Sequence, residues 1–440
     1  MARLENLSAG LILISLIFVQ GINAGEDRVK VYALDECIKE ALVNNWSIKA
    51  KDEKIEEAEY KKKQAKADFL PKFSTSYGYT RLSEVNRSSA TPVSPARDLN
   101  TQDNYQWKGT ISQTLFSGYA LTSAYELAKL GIDQSKVDLE LAKLDLALMV
   151  KEAYFNILKA EKGLDVAKKA VEALESHVRV NRNFYDVGMI PINDLLKAEV
   201  ELGNAQYNLI KAQNASQLAR ASLNTLLARP INDPVSVEDI LVYKSDRPDF
   251  NEYLTKAIDN RPEIKVIDIT SIQIDEQIRL AKSKYYPSAV LAYDYIKAGD
   301  DPDVSGSAFH DANSWQITAA LSWTFWEWGK TDDSIREKES LKKQLVQTRK
   351  ALEYNIRLEL KKALLDLDKA GKNIPTAKKA VEQAEENLRV SQERYKVQVT
   401  TSTEVLDAQT LLSQARTNYY NALYDHNLAK AALLRSIGKY

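Results

Sequence analysis

The chain has 440 residues with only 15 glycines and 11 prolines, and Ala, Leu, Lys, Glu and Gln dominate long stretches of it. This composition is typical of long helices and argues against a set of compact α/β domains. The 60 basic and 61 acidic residues nearly balance, which excludes a global positive field for recruiting nucleic acid. Most of the charge is therefore expected on solvated helix surfaces.

Residues 1–24 have the pattern of a secretory signal peptide. Arg3 precedes an apolar run from Leu11 to Val19, and Ile22-Asn23-Ala24 forms a small-residue cleavage site. The run is too short to span a bilayer comfortably, which disfavours an uncleaved anchor. Cys37 is the only cysteine, so an intrachain disulfide is excluded. Beyond residue 24 no segment approaches 18 consecutive apolar residues, so helices are not expected to hold the mature chain in a membrane.

The rest of the chain is a tandem duplication. The sequence AKKAVE at residues 167–172 recurs at 377–382, and FYDVGMIPINDLLKAE at 184–199 matches RYKVQVTTSTEVLDAQ at 394–409 in register. The first repeat is predicted at 25–229 and the second at 251–440. The segment 230–250, which contains three prolines, is predicted as a connection at mid-height of the molecule.

Each repeat begins with a predicted helix of about 35 residues that ends at Pro71 or Pro287, because helix cannot continue through proline. Two segments follow in which apolar or aromatic residues alternate with small polar ones, a pattern typical of membrane β-strands. Polar, turn-rich loops join the segments of each pair. The four strands are predicted at about 73–83, 104–116, 288–297 and 314–326.

Long helices are predicted next, at about 119–187 and 330–397, each about 100 Å long at 1.5 Å per residue. The second carries a seam of ten apolar residues with the spacing of a coiled coil, four of them alanine. Pro375 interrupts it, which predicts a local kink or unwinding. After a short turn a helix of about 35 residues returns in each repeat, so two short helices stacked end to end match one long helix.

Four strands cannot close a barrel, and open strand edges in lipid leave backbone groups without hydrogen bonds. The chain is therefore expected to oligomerise, so that strands from several copies close one cylinder and the helices continue it as a second.

This organisation resembles the TolC-like outer-membrane factors, the exit ducts of bacterial efflux pumps and type I secretion systems. The resemblance rests on the signal peptide, the duplicated order of helix, two strands, helix and helix, the segment Leu115-Phe116-Ser117-Gly118, and the paired tip motifs. It implies an α+β membrane protein in the outer membrane of a Gram-negative bacterium. The implied assembly is a homotrimer with a twelve-stranded β-barrel, four strands per chain, continued by a twelve-helix coiled-coil barrel in the periplasm.

The resemblance also implies partners. These are a periplasmic adaptor (membrane fusion) protein, an inner-membrane pump reached through it, and outer-membrane lipid; no nucleic acid and no cofactor are expected. The adaptor is expected at the two tip turns. Their residues are Val187, Gly188, Met189, Ile190 and Pro191, and Val397, Gln398, Val399, Thr400 and Thr401.

Further residues are assigned to the closed periplasmic entrance by the same resemblance. Glu404 and Asp407 match the family's pattern of acid, two residues, acid at the start of the last helix. Residues three apart share a helix face, and threefold symmetry would make them two acidic rings that bind cations. The alternative is that Glu404 only complements the helix N-terminus.

Asp194 and Tyr395 occupy the positions of the family's gate contacts. The chain departs from the family twice. Gln398 replaces the glycine usual in the turn, and Thr400 stands where a gate arginine is expected. The gate of this chain is therefore expected to be held by fewer charged contacts.

Two other classes of protein explain the sequence less well. An enzyme is poorly supported, because His177, His310 and His426 lack metal-ligand spacing and the segment Gly329-Lys330-Thr331 lacks the upstream glycine of a phosphate loop. No catalytic or metal-binding residues are therefore predicted. A secreted or periplasmic structural coiled coil would explain the helical seam but not the alternating strands. The cargo, whether drug, metal ion or protein, is not indicated by the sequence.

Overall fold

The computed structural model describes residues 30–93, 95, 97–241, 243 and 249–440. The predicted signal peptide lies outside the described residues, as do 242 and 244–248 within the predicted connection. The elements in chain order are β1 (Val31–Tyr32), α1 (Leu34–Asn44), α2 (Trp46–Ala67), β2 (Lys72–Arg81), β3 (Asp103–Ser117), α3 (Ala120–Asp186), α4 (Ile192–Leu226), β4 (Ser236–Val237), α5 (Phe250–Asn260), α6 (Pro262–Lys282), β5 (Ser288–Gly299), β6 (Asn313–Ser322), α7 (Lys330–Lys396) and α8 (Ser402–Ser436).

The first helix of each repeat is divided in two, where one continuous helix was expected. Asn45 has extended backbone angles, and its side-chain Oδ1 accepts a hydrogen bond from the Ser47 N–H at 2.9 Å, which caps α2. Arg261 is extended because Pro262 follows it and begins α6. Both breaks therefore have local causes that the sequence contains.

The two long helices have 67 residues each. α7 is assigned without interruption through Pro375, so the predicted unwinding does not occur. The preceding residue, Ile374, is buried against Ala422 and Leu423 of α8, and this packing supports the helix there. Within the described ranges, no helix is both long enough and apolar enough to cross a membrane.

The helices lie side by side in two sets. Near the sheet, α2, α3, α6 and α7 are neighbours in that order; farther away the order is α4, α3, α8 and α7. Most of the predicted seam of α7 is buried, which confirms the coiled-coil pattern. Its buried members are Ile356, Leu360, Ala363, Leu367, Ala370, Ile374, Ala384 and Leu388.

The strands form one antiparallel sheet in the order β2-β3-β5-β6. Its two faces differ in chemistry. Thr110, Asp294 and Gln316 are cross-strand neighbours on one face, while Tyr77 lies opposite Trp107 and Tyr295 opposite Trp315 on the other. The largest departure from the predicted bounds is at β6, which ends at Ser322 instead of near residue 326.

The predicted mid-height connection packs against the middle of α3. Its strand β4 pairs in parallel with β1, so the start of the described chain and the connection form a two-stranded sheet. The buried Tyr154 hydroxyl lies 3.0 Å from the Tyr32 carbonyl oxygen and 2.9 Å from that of Glu238. The side chains around Tyr154 form the most extensive apolar cluster among the described residues.

Candidate functional site at the helix tips

The two tip turns have the same backbone hydrogen bonds. In the first, the Met189 N–H donates to the Phe184 carbonyl at 2.8 Å and the Gly188 N–H donates to that of Tyr185 at 2.8 Å. In the second, Val399 donates to Arg394 at 3.0 Å and Gln398 donates to Tyr395 at 2.9 Å. This pattern is the Schellman motif, which satisfies the last carbonyls of a helix and requires a left-handed residue after it.

The left-handed residue is Gly188 in the first turn, with φ 76°, and Gln398 in the second, with φ 59°. A side chain in this region costs about 1–2 kcal/mol relative to glycine. A Cβ added at Gly188 would meet no atom within 4 Å. A side chain at position 188 would therefore not clash with its surroundings. The two turns differ instead in backbone strain, which is present at Gln398 and absent at Gly188.

The returning helices start differently. Pro191 is the N-cap of α4 and offers no side-chain acceptor, whereas the Thr401 Oγ1 accepts from the Glu404 N–H at 3.3 Å at the start of α8. The Glu404 carboxylate also accepts from Arg394 Nη1 at 3.4 Å and from the Thr400 hydroxyl. Thr400 therefore contacts the acid as a hydrogen-bond donor without carrying the charge that an arginine would.

Glu404 and Asp407 are both exposed on the first turns of α8, whereas Asp194 on α4 is half-buried. The two acids of α8 therefore reach solvent at the end of the molecule farthest from the sheet. A single chain contains one copy of each, and their carboxylates can act on cations only weakly from such an open surface.

A buried polar network that the sequence did not reveal lies just above the tips. The Tyr395 hydroxyl of α7 donates to Asn181 Oδ1 of α3, and Asn181 Nδ2 donates to the Ser402 hydroxyl of α8 at 2.8 Å. His177 Nε2, one turn from Asn181 on α3, is 2.8 Å from the same hydroxyl. Phe184 packs edge-on against Tyr395 with ring centroids 5.7 Å apart. These neutral groups join helices of both repeats.

The surroundings of the network shift the pKa values of two of its residues. Burial lowers the pKa of His177 to about 4, an effect that its contact with Ser402 partly opposes. Burial also raises the pKa of Tyr395, and the charge of Asp194 raises it further, while the hydrogen bond with Ser402 lowers it. His177 is therefore neutral near pH 7, and the network carries no net charge.

The structure brings the two predicted gate residues near each other at the tip. Tyr395 and Asp194 are close enough to interact electrostatically, but the Tyr395 hydroxyl donates to Asn181. The sequence assigned no role to His177, and the structure places it in the buried network above the tip turns. One signal could have identified it, because His177 and Asn181 are four residues apart and share a face of α3 with the buried Leu174 and Val178.

The tip turns themselves expose apolar side chains. Val187, Met189, Val397 and Val399 are all exposed, whereas Ile190 is buried. In the part of the chain that the structure describes, no group of three or more His, Cys, Asp or Glu side chains is arranged to hold a metal ion. The surface chemistry of the tips thus favours contact with another protein, because exposed apolar residues gathered at one end mark interaction sites.

Paired helices that run from a sheet with one polar and one aromatic face to two tip turns define a class, the subunits of outer-membrane channels with a helical tunnel. The model of the outer membrane efflux protein family matches residues 37–229 and 253–439. The chain belongs to this family.

Relatives of similar length support this assignment. The chain is 22% identical to "Outer membrane protein TolC" of Escherichia coli (strain K12), over 97% of this chain and 85% of that protein. It is 22% identical to "Toxin and drug export protein A" of Aggregatibacter actinomycetemcomitans, over 95% of this chain and 89% of that protein.

Solved structures show the same fold. The Campylobacter jejuni CmeC outer membrane channel superposes with a TM-score of 0.78 at 18% identity, covering 99% of this chain and 94% of that one. The outer membrane protein VceC from Vibrio cholerae gives 0.74 at 16% identity, covering 92% and 96%. The predicted family and the predicted location in the outer membrane are confirmed, and the chain is an efflux channel of that membrane. The alternative of a structural coiled coil is therefore wrong.

Proposed function

We propose that three copies of this chain form one duct that conducts substrates passively from the periplasm to the cell exterior. The observation that carries the proposal is the isolated sheet of four strands, whose edge strands β2 and β6 are exposed along their whole length. Unpaired edges are not tolerated in lipid, where each free backbone group costs several kcal/mol. Three sheets of four strands close a barrel of twelve.

The two faces of the sheet support an orientation for this barrel. The aromatic face, which includes Tyr77, Trp107 and Trp315, is suited to lipid, since aromatic girdles flank the apolar band of membrane barrels. The other face carries Asp294, which accepts from Thr110 at 2.6 Å, from Gln316 at 2.8 Å and from Lys108 at 3.0 Å. This polar face lines a water-filled lumen.

The helices continue the barrel into the periplasm as a tunnel of twelve helices. At 1.5 Å per residue the 67-residue helices reach about 100 Å. The exposed apolar residues of the tip turns at 187–191 and 397–401 then meet a periplasmic adaptor protein that is coupled to an inner-membrane pump. The sequence suggested two kinds of export complex, a tripartite efflux pump and a type I secretion system. The relative named as a toxin and drug export protein supports both, because its name covers both kinds of cargo.

At the tunnel mouth Glu404 and Asp407 form two acidic rings, three carboxylates each, that bind cations. Asp194 and the neutral network of His177, Asn181, Tyr395 and Ser402 hold the mouth closed. Because the network joins α3 to α7 and α8, breaking it frees the α7–α8 pair from the first repeat. No enzymatic step is part of this function, and the pump supplies the driving force.

The test is the conductance of detergent-purified protein in planar bilayers, with divalent or trivalent cations added on the tip side. Wild-type channels are expected to be small, cation-selective and blocked, whereas Glu404→Ala with Asp407→Ala removes the block. Asp186→Ala is the matched control, because it removes an exposed tip acid outside the rings. Equal block in all three proteins would move the cation site elsewhere, and folded protein without channels would overturn the duct itself.

A further inference from the structure

The two helices that lead into the sheet, α2 and α6, have an uneven distribution of charge. Residues 46–60 of α2 contain five acids and three lysines, whereas residues 61–72 contain five lysines and one aspartate. In the second repeat, residues 262–278 contain four acids and one lysine, whereas residues 279–288 contain three basic residues and no acid. Both helices are therefore acidic away from the sheet and basic where they approach it.

Basic residues occupy matched positions in the two repeats. Pro71 and Pro287, which follow the two helices, are 216 residues apart (287 − 71). At this offset two basic residues of α2 have basic counterparts in α6. The four residues, which form the basic ends of the two helices, are Lys63 matched with Arg279 and Lys66 matched with Lys282. The basic end is therefore a feature of the repeated unit, and the three copies of the proposed duct would present it six times.

The same contact fastens both helix ends to the sheet. The Phe69 carbonyl oxygen accepts from Gln113 Nε2 at 3.0 Å, and the Tyr285 carbonyl oxygen, at the matched position, accepts from Trp323 Nε1 at 3.2 Å. Gln113 lies on the aromatic face of the sheet, because an even number of positions separates it from Trp107 on the same strand. The basic ends of α2 and α6 therefore adjoin the base of the face that is suited to lipid.

Exposed aromatic and apolar side chains surround this base. Phe69 and Tyr285, which follow the basic ends directly, are both exposed. Further exposed apolar residues next to the helix ends and on the adjoining strands are Leu70, Phe73, Leu115, Tyr286, Leu321 and Trp323. Aromatic residues favour the level of the lipid headgroups, where one part of the ring is in an apolar setting and another is in a wet one. The basic ends thus lie beside the part of the chain that meets the membrane surface.

Most of the four cations have no acidic partner in the chain. Within the described ranges, Lys66 and Lys282 are exposed and form no ion pair. Lys63 Nζ lies 4.6 Å from the centroid of a neighbouring tyrosine ring. Arg279 pairs with Glu276 at 3.0 Å. Three of the four basic side chains are therefore available to an anion from outside the chain.

We propose that the basic ends of α2 and α6 bind the headgroups of anionic phospholipids in the leaflet that faces the periplasm. Long basic side chains next to a membrane-embedded segment extend their charged groups to the headgroups. Clusters of such residues beside a membrane recognise lipids with a net negative charge. This inference rests on the proposed barrel, because the barrel sets the level of the bilayer, and it adds the class of lipid that the chain selects.

Basic residues at a helix C-terminus also complement the helix dipole, but only within the last turn. This effect accounts for Lys66, Arg279 and Lys282, which lie in the last turns of α2 and α6. The three lysines at 61–63 precede that turn, and Lys284 follows α6. The headgroup region is about 5–7 Å thick on each side of a bilayer, and residues 61–66 span about 7 Å of helix. A layer of headgroups therefore matches the extent of the basic segment, which the dipole does not.

Native mass spectrometry of the lipids that the protein retains tests this binding. The protein is reconstituted with equal amounts of phosphatidylglycerol, which is anionic, and phosphatidylethanolamine, which is zwitterionic, and is then released into detergent. Wild type should retain phosphatidylglycerol about tenfold over phosphatidylethanolamine, because each basic side chain at an anionic surface adds to the attraction. The variant Lys63→Gln/Lys66→Gln/Arg279→Gln/Lys282→Gln should retain the two lipids equally.

The matched control removes four lysines from the acidic parts of the same helices, as Lys49→Gln/Lys51→Gln/Lys54→Gln/Lys265→Gln. It should keep the preference of wild type. Equal retention of the two lipids by wild type would overturn the proposal. Loss of the preference in this control, whose basic ends are intact, would overturn it as well.

A variant that conserves the charge, Lys63→Arg/Lys66→Arg/Lys282→Arg, keeps the test decisive if the glutamine variant does not fold. It should prefer phosphatidylglycerol as wild type does, and loss of the preference would contradict recognition by charge. Inorganic phosphate is the competing ligand. Displacement of the bound lipid by phosphate, but not by sodium chloride of equal ionic strength, would assign the site to free phosphate and overturn the lipid.

Conductance in planar bilayers separates this inference from the proposed function. Channels that conduct without a lipid preference would overturn the lipid site and leave the duct standing, whereas folded protein without channels would overturn the duct and this inference with it. The glutamine variant should conduct with the ion selectivity of wild type. A changed selectivity would place the basic ends in the lumen and overturn their contact with lipid.

Discussion

Tyr185 and Tyr395 occupy the same position in the two repeats, just before the tip turn, yet Tyr395 is 3% exposed and Tyr185 is 40% exposed. The difference comes from their neighbours. Tyr395 of α7 reaches Asn181 and His177 of α3, whereas the side chain of Tyr185 of α3 has no hydrogen bond or ring contact among the described residues. Duplication has copied the backbone, and the position in the chain decides what is buried.

The middle of the long helices shows the same contrast. Tyr154 of α3 is fully buried under the sheet of β1 and β4, and its counterpart 210 residues later is Leu364, which is only partly buried. The strand pair of β1 and β4 covers α3 at this height, whereas α7 packs there against α5. Residues at matched positions of the two repeats therefore contribute differently to stability. Substitutions at such positions measure the difference as a change in the free energy of unfolding.

The largest effect is expected from Tyr154→Leu, which gives the first repeat the residue of the second. It removes the hydroxyl that lies within hydrogen-bond distance of two carbonyl oxygens and leaves a space beside them, so the free energy of unfolding should fall by about 2–4 kcal/mol. The matched change Leu364→Val should cost about 1 kcal/mol. Denaturant unfolding of the detergent-purified variants measures both, and equal losses would contradict the asymmetry.

The next effect depends on pH. Burial lowers the pKa of His177 from 6.5 to about 4, so between these values the unfolded chain binds the additional proton. Stability from this group is complete above pH 6.5 and declines as the pH falls towards 4, by at most about 3 kcal/mol. His177→Asn introduces the residue found at the matched position 387 and should flatten this dependence. An unchanged pH profile of unfolding would show that His177 is not responsible.

A smaller effect is expected from Tyr395→Phe. It removes the donor to the buried Asn181 Oδ1, which should cost about 1–3 kcal/mol, and it should raise the fraction of open channels in bilayers. Combined with Asp194→Ala, it should loosen the closed mouth further and raise sensitivity to vancomycin at wild-type abundance. Tyr185→Phe removes the exposed counterpart and should change stability by less than about 0.5 kcal/mol. Similar effects at both tyrosines would contradict the proposed role of the network.

The smallest effect concerns the tip turns. Gln398→Gly relieves a left-handed backbone and should stabilise the protein by about 1 kcal/mol, while Gly188→Gln should destabilise it by a similar amount. Positions 188 and 398 are both exposed, so neither substitution should change the conductance of the closed channel. Thermal unfolding provides the measurement, and opposite signs for the two variants are the required result.

Local rules determined much of this protein from the sequence alone. Proline positions ended the first helices, period-2 alternation located the four strands, and the spacing of alanine and aliphatic residues identified the α7 seam. Each of these depends on residues close together in the chain, so the pattern carries the information. The shared turn motif of the two tips was predictable for the same reason, and the left-handed Gln398 follows from it.

Only the tertiary structure decided the contacts between elements far apart in the chain. Tyr395 donates to Asn181 across 214 positions, and Tyr154 reaches Tyr32 across 122, and no local pattern encodes such pairings. The end of β6 at Ser322 also follows from pairing, because a strand needs a neighbour as well as a suitable sequence. Secondary-structure propensity is a property of a segment, whereas hydrogen bonding and burial depend on the elements against which the segment packs in the folded chain.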